Sequence, residues 1–262
     1  MKKNISFYYG YPSDYKRKTA LIQEAGFDGV MAMYKYSEDF FSAIDYALKN
    51  GLNVESIHMP FDKIVNPLWV DGIEGDNYVK LMLEGADYAS SIGVKKLTVH
   101  ISSSPIPPPL SEIGFGRLTQ IAEYFDKKGL FLCIENLRRI DYFAAVLDNV
   151  KGDNVKVCYD SGHHNAYYSD KFDLKPYYDK VFCVHLHDNL NGVDNHYFPF
   201  EGSADWSAIS YNLSKMKNLT ELTLEIHGSR YPDKYQTELD FLLGGKKALE
   251  IVELMIEEKK NG

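Results

Sequence analysis

The 262-residue sequence predicts an α/β protein that folds as a single (β/α)8 TIM barrel. Its length is close to the roughly 250 residues typical of that fold. Eight short runs rich in β-branched and aromatic residues alternate with longer segments of helical period, which predicts a parallel sheet with helical crossovers. The first run is not followed by the Gly-x-Gly-x-x-Gly turn that favours an open nucleotide-binding sheet. We therefore expect one domain over residues 1–262.

Each predicted strand is a short apolar run bounded by turn residues or by a segment of helical period. The eight strands are expected at Ile5–Tyr9, Gly29–Tyr34, Val54–Met59, Lys96–Ile101, Leu130–Glu135, Val155–Asp160, Val181–His187 and Leu222–Ile226. Amphipathic helices are expected at Tyr15–Ala25, Asp39–Lys49, Tyr78–Ile92, Arg117–Lys127 and Gln236–Glu258. The proline-rich stretch 104–110 predicts a rigid loop after the fourth strand, and Asp205 predicts a helix start at Trp206.

Composition narrows the classes of partner and compartment. The net charge of −8 disfavours a broad electropositive surface for nucleic acid. The sequence begins with polar and aromatic residues rather than the apolar run of a signal peptide, and no run reaches membrane-spanning length, so we expect a cytoplasmic protein without a membrane partner. The three cysteines, Cys133, Cys158 and Cys183, lie far apart in apolar runs, which predicts buried thiols rather than a disulfide framework or a zinc ribbon.

Potential metal ligands concentrate at the ends of the predicted strands. All eight histidines lie at strand ends or in the loops that follow, and none lies in a predicted helix. The third to eighth strands each end in a residue type that binds metals, namely His58, His100, Glu135, Asp160, His185 and Glu225. The carboxyl ends of barrel strands share one face of the fold. The sequence therefore predicts a divalent-metal site at the C-terminal mouth of the barrel.

The alternation of side chains along a strand supports one common register for these six positions. The residue two before each one faces the same way and is small in every case: Ser56, Thr98, Cys133, Cys158, Cys183 and Thr223. The residues in between are bulky and are expected to face the helices: Ile57, Val99, Ile134, Tyr159, Val184 and Leu224. A layer of small side chains inside the barrel leaves room for the six polar groups to converge.

Further candidates lie in the loops after the strands. His163, Asp194 and His196 are expected to form a second metal cluster or to remain solvated loop residues. A second set of histidines either holds carboxylates or substrate hydroxyls in place or has no such role: His164, His187 and His227. Arg138, Arg139 and Arg230 follow the strands of Glu135 and Glu225, where a guanidinium can grip a phosphate or carboxylate, although exposed arginines are common.

Aromatic residues near strand ends suggest the wall of a sugar-sized pocket. They are Tyr8, Tyr11, Tyr34, Tyr36 and Trp69, of which Trp69 is a candidate substrate-binding residue together with the arginines Arg138 and Arg230. Tyrosine is abundant throughout the chain, with twenty copies, so position alone distinguishes these residues from the rest.

Five segments resemble motifs of the xylose isomerase-like TIM barrel superfamily, which includes sugar-phosphate isomerases and epimerases and the endonuclease IV group (AP endonuclease family 2). The segments are CIENL, VCYDSGHHN, VHLHDN, GVDNHYFPFEGSADW and LTLEIHG, and the similarity covers residues 56–228. For isomerases and epimerases, the resemblance implies one metal held by Glu135, Asp160, His185 and Glu225. For the endonuclease IV group, it implies three zinc ions and further ligands at His58, His100, His163, Asp194 and His196. Both sets are present, so the ligands do not select the reaction.

Two departures from these patterns bear on the choice of reaction. The segments HISSSPIPPP and ENLRRIDYF do not resemble the DNA-inserting loops of the endonuclease group. The segment HDNLNG lacks the arginine that sugar epimerases of this superfamily often place shortly after the histidine of the seventh strand. The first departure disfavours a nuclease, and the second leaves the sugar substrate open.

The resulting prediction is a metal-dependent isomerase or epimerase of a sugar or sugar phosphate. Glu135 and Glu225 are the expected acid and base, acting by proton transfer through a metal-bound enediolate. The mixed oxygen and imidazole ligands suit zinc or manganese, with magnesium or cobalt also compatible, in one to three ions. The alternative is a zinc phosphodiesterase acting on abasic DNA. A non-catalytic sugar-binding or structural-metal protein ranks last, because structural zinc sites are closed and often built from cysteine. The oligomeric state stays open.

Overall fold

The computed structural model describes residues 1–168, 172–190 and 192–261. Eight parallel strands form a closed barrel in which β1 to β7 pair in chain order and β10 joins β7 to β1. The barrel strands are β1 Lys2–Ser6, β2 Gly29–Met33, β3 Asn53–His58, β4 Lys96–Val99, β5 Phe131–Glu135, β6 Val155–Asp160, β7 Val181–Leu186 and β10 Glu221–Leu224. A two-stranded antiparallel hairpin, β8 Asp188–Leu190 with β9 Val193–Tyr197, stands at the mouth. The predicted (β/α)8 barrel is therefore confirmed.

Helices surround the barrel between consecutive strands. They are α1 Tyr15–Glu24, α2 Phe40–Lys49, α3 Ile73–Ser91, α4 Glu112–Lys127, α5 Ile140–Asn149, α6 Ser161–Tyr167, α7 Trp206–Lys215 and α8 Glu238–Asn261. The start of α7 is as expected, since Asp205 Oδ1 accepts a hydrogen bond of 3.0 Å from the Ala208 backbone N–H. Within the described ranges, no helix is both long and apolar enough to cross a membrane.

Several predicted elements differ from the structure in their bounds, and two of the differences are explained by local contacts. His163 and His164 lie within α6 rather than in a loop, because the Asp160 carboxylate accepts from the His163 N–H at 2.6 Å and starts a helix directly after β6. The first strand ends at Ser6 rather than at Tyr9. Phe7 and Tyr9 look like strand residues in the sequence because they are buried, but they are buried as part of the loop after β1.

Side chains divide into two buried layers, as the alternation along the strands predicts. The bulky residues that were expected to face the helices are fully buried in the core between the sheet and the helices. Inside the barrel, Cys133, Cys158 and Cys183 form a separate cluster of free, buried thiols. Thr98 joins this layer, with its Oγ1 3.8 Å from Cys183 Sγ. This small-residue layer lies directly beneath the strand ends and supports the side chains above it.

The N-terminal end of the barrel is filled by a buried ion pair. Lys96 Nζ lies 2.5 Å from Glu55 Oε1, and the Glu55 carboxylate also accepts from Thr223 Oγ1 at 3.4 Å. Glu55 follows a register shift between β2 and β3, where Val30 pairs with Val54 and Met31 with Ser56. The bulge turns two successive side chains, Glu55 and Ser56, into hydrogen-bonding distance of each other. The Glu55 carboxylate at the N-terminal end of the barrel is therefore ion-paired rather than exposed to solvent.

Candidate metal centre

A cavity of about 610 Å³ opens at the C-terminal mouth of the barrel. Its wall includes most of the candidate residues named from the sequence: His58, His100, Glu135, Arg138, His163, Asp194, His196, Glu225 and Arg230. Asp160 and His185 lie beneath them and are completely buried. The six strand ends therefore converge on one place, as their common register predicts.

Four of these residues approach one another closely enough to share one ion. Glu135, Asp160, His185 and Glu225 each offer a ligand atom, and the four atoms lie within 4.8 Å of one another. His185 Nδ1 is 3.0 Å from Glu135 Oε1 and 3.0 Å from Glu225 Oε2. Glu135 is the last residue of β5 and Asp160 the last residue of β6, whereas His185 lies in β7 and Glu225 directly follows β10. The barrel itself therefore fixes the spacing of these four residues.

Charge in this cluster is concentrated and buried. Burial by itself raises the pKa of Glu135, but His185 and His100 outweigh it and hold the pKa well below its ordinary value. Burial also raises the pKa of Glu225, but His185 and His196 outweigh it and lower the pKa below its ordinary range. Burial lowers the pKa of His185, while the carboxylates of Glu225 and Glu135 raise it well above its usual value. The glutamates are therefore ionised at neutral pH and attract positive charge.

The donor atoms fit a divalent cation. Among the residues that the structure describes, His163 Nδ1, His185 Nε2 and Asp194 Oδ1 are buried without a hydrogen-bond partner. Buried polar atoms in proteins are nearly always satisfied by protein, water or an ion. Carboxylate oxygens and imidazole nitrogens together suit manganese, zinc, cobalt or magnesium. The chemistry of the site therefore matches the predicted ligand set.

Two further histidines share the other oxygen of Glu135. His58 Nε2 lies 3.2 Å and His100 Nε2 lies 2.8 Å from Glu135 Oε2, and the three residues form a second group of potential ligands. The Phe61 ring packs edge-on against His58 at 5.1 Å and lies 5.3 Å from His100. Burial lowers the pKa of His100, although Glu135 opposes this effect. The Glu135 carboxylate thus faces His185 with one oxygen and this histidine pair with the other.

A third group is formed by His163, Asp194 and His196. His163 Nε2 is 3.3 Å from Asp194 Oδ2, and His196 Nε2 is 3.4 Å from Asp194 Oδ1. Burial opposes a charge on either histidine, but the carboxylates of Asp160 and Asp194 raise the pKa of His163 to about 10, and Asp194 and Glu225 raise that of His196 to about 9. His196 has a φ of +56°, a strained conformation for a residue with a side chain.

The hairpin β8–β9 carries Asp194 and His196 to this position. Asn189 Oδ1 accepts from the backbone N–H groups of Asn195 at 2.5 Å and His196 at 3.2 Å. Asn189 Nδ2 donates to the Gly162 carbonyl at 2.8 Å, in the first turn of α6. One amide group therefore joins the hairpin to the helix that carries His163.

The remaining histidines differ in their relation to the cluster. His187 Nε2 lies 3.1 Å from the Asp160 carboxylate, and its ring stacks on His196 with centroids 4.1 Å apart. A Cβ at Gly162 would lie 1.9 Å from the His187 ring, so only glycine fits there. His164 Nδ1 bonds instead to Tyr159 Oη at 2.8 Å, and His227 to Ser229 at 2.6 Å. His187 therefore holds a carboxylate of the cluster.

The structure places the other candidates unevenly around the cavity. Arg138 and Arg230 line it, and the Arg138 guanidinium lies 4.7 Å from the centroid of the Tyr167 ring. Arg139 instead pairs with Asp141 at 2.5 Å. Trp69 lies away from the cavity and is only 2% exposed, because its Nε1 donates to the Ile101 carbonyl at 2.7 Å within the core. The expectation that Trp69 lines the pocket is therefore corrected.

Several residues at the site were not singled out from the sequence. Phe61, Lys63 and Tyr167 line the cavity, and Asn189 positions the hairpin. Phe61 and Lys63 follow the strand of His58 in the segment HMPFDK, so their place after a strand end was an available signal. Asn189 carried no such signal, because its role depends on the fold of a hairpin whose sequence is largely polar.

The sequence as a whole matches a known family. The family described as Xylose isomerase-like TIM barrel matches residues 19–244. An uncharacterized protein, y4fM, of Sinorhizobium fredii (strain NBRC 101917 / NGR234) is 26% identical over 167 residues, which is 58% of this chain and 54% of that protein. The chain thus matches about half of the length of this relative.

Solved structures share the complete barrel. L-ribulose 3-epimerase superposes with a TM-score of 0.76 at 18% identity, covering 99% of this chain and 95% of that one. D-psicose 3-epimerase from Clostridium cellulolyticum H10, solved with D-tagatose, superposes with a TM-score of 0.77 at 18% identity, covering 98% and 99%. At this level of identity the likeness shows the fold.

Proposed function

The chain belongs to the xylose isomerase-like TIM barrel family, and from that premise we propose that it is a divalent-metal-dependent isomerase or epimerase of a sugar or sugar phosphate. The observation that carries the proposal is the convergence of Glu135, Asp160, His185 and Glu225, whose ligand atoms lie within 4.8 Å of one another. Two similar structures are 3-epimerases of L-ribulose and D-psicose, which agrees with this reaction class.

We propose that these four residues hold the metal, with zinc or manganese preferred and magnesium or cobalt also compatible. A bound divalent cation supplies Lewis acidity, which polarises a carbonyl and makes the neighbouring C–H more acidic. His163 lines the cavity, and its Nδ1 is buried without a hydrogen-bond partner among the described residues. We assign His163 the role of holding a substrate oxygen.

The proton transfer itself is proposed for the two glutamates. Oxygens of Glu135 and Glu225 lie within 4.8 Å of each other, and both carboxylates are ionised because neighbouring histidines lower their pKa values. One carboxylate takes the proton from the carbon beside the carbonyl, and the C–H electron pair becomes the double bond of an enediolate. For an epimerisation, the other glutamate first takes up a proton from solvent and donates it to the opposite face of the same carbon, while the first glutamate releases its proton to solvent. For an isomerisation, the first glutamate returns its proton to the neighbouring carbon, and a second proton moves between the two oxygens of the enediolate.

Two arginines in the wall of the cavity are placed to bind a phosphate group on the substrate. Arg138 and Arg230 both line the cavity, and guanidinium groups bind phosphate in a bidentate manner. This arrangement supports a sugar phosphate as one of the two substrate classes. Assays with a free sugar and its phosphate ester distinguish them, since Arg138→Ala and Arg230→Ala are expected to raise KM for the phosphate ester alone.

The principal test is exchange of substrate hydrogen with solvent. The protein is loaded with manganese or zinc and incubated in D2O with a panel of ketoses, and NMR follows loss of the C–H signal beside the carbonyl. We expect Glu135→Gln to slow this exchange by about 10²–10⁴-fold, the usual contribution of a positioned acid or base. Glu123→Gln, an exposed glutamate on α4, serves as the matched control and should keep the wild-type rate. Unchanged exchange in Glu135→Gln removes that residue from the role, and absence of exchange with every ketose argues against the reaction class.

A zinc phosphodiesterase acting on abasic DNA remains a second candidate for a specific reason. His58, His100, His163, Asp194 and His196 all line the same cavity as the four-residue cluster, which matches the ligand set that the resemblance to endonuclease IV implies. Against it, the lysines and arginines among the described lining residues are Lys63, Arg138 and Arg230 only. Elemental analysis separates the candidates: one ion per chain favours the sugar reaction, whereas three ions and nicking of an abasic duplex favour the nuclease.

A further inference from the structure

A second cavity lies beside the first and shares a wall with it. This side pocket has a volume of about 260 Å³ and is formed by the loops after β1 and β2 together with the start of α1. Tyr8 and Tyr36 line both cavities, and their rings pack at a centroid distance of 4.7 Å. The two cavities therefore adjoin at this pair of tyrosines.

Lys18 is the unusual residue of the side pocket. It is only 9% exposed, yet among the described residues its ammonium has no hydrogen bond and no ion pair. Its contacts are with the faces of Tyr8 and Tyr9, whose ring centroids lie 5.9 and 5.6 Å away. The ammonium is therefore free to donate hydrogen bonds to a polar ligand in the pocket. Lys18 lines the pocket and so faces the space that such a ligand would occupy.

The charges around Lys18 indicate a neutral ligand rather than an anion. Burial lowers the pKa of Lys18, and the carboxylates of Glu238 and Asp39 oppose this effect. Among the described lining residues, the carboxylates of Asp14 and Asp39 accompany the single ammonium of Lys18, which leaves the pocket without the excess positive charge that holds a phosphate. Asp39 accepts from Ser37 Oγ at 2.6 Å, and Ser37 Oγ lies 3.0 Å from Tyr8 Oη. The pocket therefore offers a row of hydroxyl and carboxylate groups beside the ammonium.

The remaining wall suits the apolar face of a sugar ring. Tyr11 and Tyr15 line the pocket together with Tyr8 and Tyr36. Tyrosine presents an apolar ring and a polar tip, which matches a pyranose, whose C–H groups form apolar faces and whose hydroxyls form a polar edge. The volume is below the roughly 300–1,000 Å³ of pockets for drug-sized ligands, so it corresponds to one ring rather than to a longer chain.

We propose that the side pocket is a carbohydrate subsite in which Lys18 hydrogen-bonds the hydroxyls of a second, neutral sugar ring, so that the preferred substrate is a glycoside rather than a monosaccharide. The first ring occupies the metal centre, the second passes Tyr8 and Tyr36, and Lys18 anchors its hydroxyls. The extension to substrate choice rests on the proposed isomerase or epimerase function. The existence of the subsite itself does not, because binding in the side pocket needs neither the metal nor the glutamates.

Calorimetric titration tests the subsite with three probes and the complete protein. D-fructose represents one ring with a carbonyl, isomaltulose represents a fructose carrying a second ring, and methyl α-D-glucopyranoside represents the second ring alone. We expect isomaltulose to bind about tenfold more tightly than D-fructose, a difference of about 1.4 kcal/mol. Lys18→Met should abolish this advantage without changing the Kd for D-fructose. Lys16→Met, an exposed lysine on the same helix, is the matched control and should keep the advantage.

The outcomes separate this inference from the proposed function. Binding of methyl α-D-glucopyranoside that persists in Glu135→Gln and after treatment with EDTA, but is lost in Lys18→Met, supports the subsite even if no ketose is turned over. The subsite is wrong if the glucoside does not bind, if isomaltulose binds no better than D-fructose, or if Lys18→Met leaves both affinities unchanged. Inorganic phosphate that binds in a Lys18-dependent manner would identify an anion site and would also overturn it. Circular dichroism verifies that Lys18→Met is folded.

Discussion

At the scale of single residues, Glu135 occupies the central position. One of its oxygens lies 3.0 Å from His185, and the other lies 2.8 Å from His100 and 3.2 Å from His58. A carboxylate with histidines on both sides is ionised and held in one orientation. Glu135 is therefore able to belong to the four-residue cluster and to face substrate at the same time.

His187 acts on this centre through Asp160 rather than directly. It is completely buried, and its Nε2 lies 3.1 Å from the Asp160 carboxylate. Residues that orient a metal ligand through a hydrogen bond typically contribute 10–100-fold to metal affinity. We expect His187→Ala to weaken metal binding by about that factor, as measured by competition with a fluorescent chelator. His227→Ala is the control, because His227 bonds to Ser229 and to no carboxylate of the cluster in the described structure. Equal affinities of the two variants would exclude this role for His187.

At the scale of elements, the hairpin β8–β9 depends on one amide. Asn189 binds two backbone N–H groups of β9 and the Gly162 carbonyl of α6. We expect Asn189→Ala to loosen the hairpin, because three backbone groups lose their partner. Hydrogen exchange of the peptide that contains Asn195 and His196 should accelerate, and turnover should fall while the four-residue cluster keeps its metal.

The matched control for this experiment is Asn165→Ala. Asn165 Nδ2 also bonds to the same region, with contacts of 3.3 Å to the Asn189 carbonyl and 3.3 Å to Ser203. Because these contacts are longer and do not involve β9, exchange in the hairpin should stay close to that of the wild type. A similar acceleration in both variants would show that the Asn189 side chain has no special role.

The elements also show what the sequence was able to predict. The eight barrel strands were predictable because buried parallel strands are short apolar runs, and their alternation placed the small and bulky layers correctly. Helix α6 was missed because its seven residues are too few to show a helical period, and its start depends on the Asp160 side chain. The hairpin was missed because β9 reads VDNHY, which lacks regular alternation.

The site could be predicted to a similar extent, with similar limits. Strand ends in a barrel meet at one mouth whatever their separation in sequence, so His58 and Glu225 could be placed together without a structure. Nearness to a strand end does not fix where a side chain points. The burial of Trp69 in the core was therefore not predictable from its position in the sequence. The inward direction of the Glu55 side chain was also unpredictable, because a bulge between β2 and β3 changes the alternation of side chains beside it.

At the scale of the whole molecule, the ion pair of Lys96 and Glu55 is expected to determine stability. Lys96 Nζ lies 2.5 Å from the buried Glu55 carboxylate at the end of the barrel opposite the cavity. Removing one partner of a buried pair typically costs about 3–5 kcal/mol, because the other charge is left unpaired. We expect Lys96→Met to lower the free energy of unfolding by about that amount in urea titration.

The control and the shape of the transition complete this prediction. Lys49→Met removes an exposed partner of Asp45 and should change the free energy of unfolding by less than about 0.5 kcal/mol. We propose that residues 1–262 form one domain, so wild type and variants should each unfold in a single transition when followed by fluorescence and by circular dichroism. A second transition would contradict the single domain, and a wild-type midpoint for Lys96→Met would contradict the importance of the pair.

The three free thiols inside the barrel have a practical consequence. Cys133, Cys158 and Cys183 are at most 1% exposed, so an alkylating reagent cannot reach them while the strands stay closed. Their rate of modification therefore reports how often the ring of strands parts. Because each thiol belongs to a different strand, mass spectrometry of the labelled peptides would reveal which seam opens first, without any dye or tag.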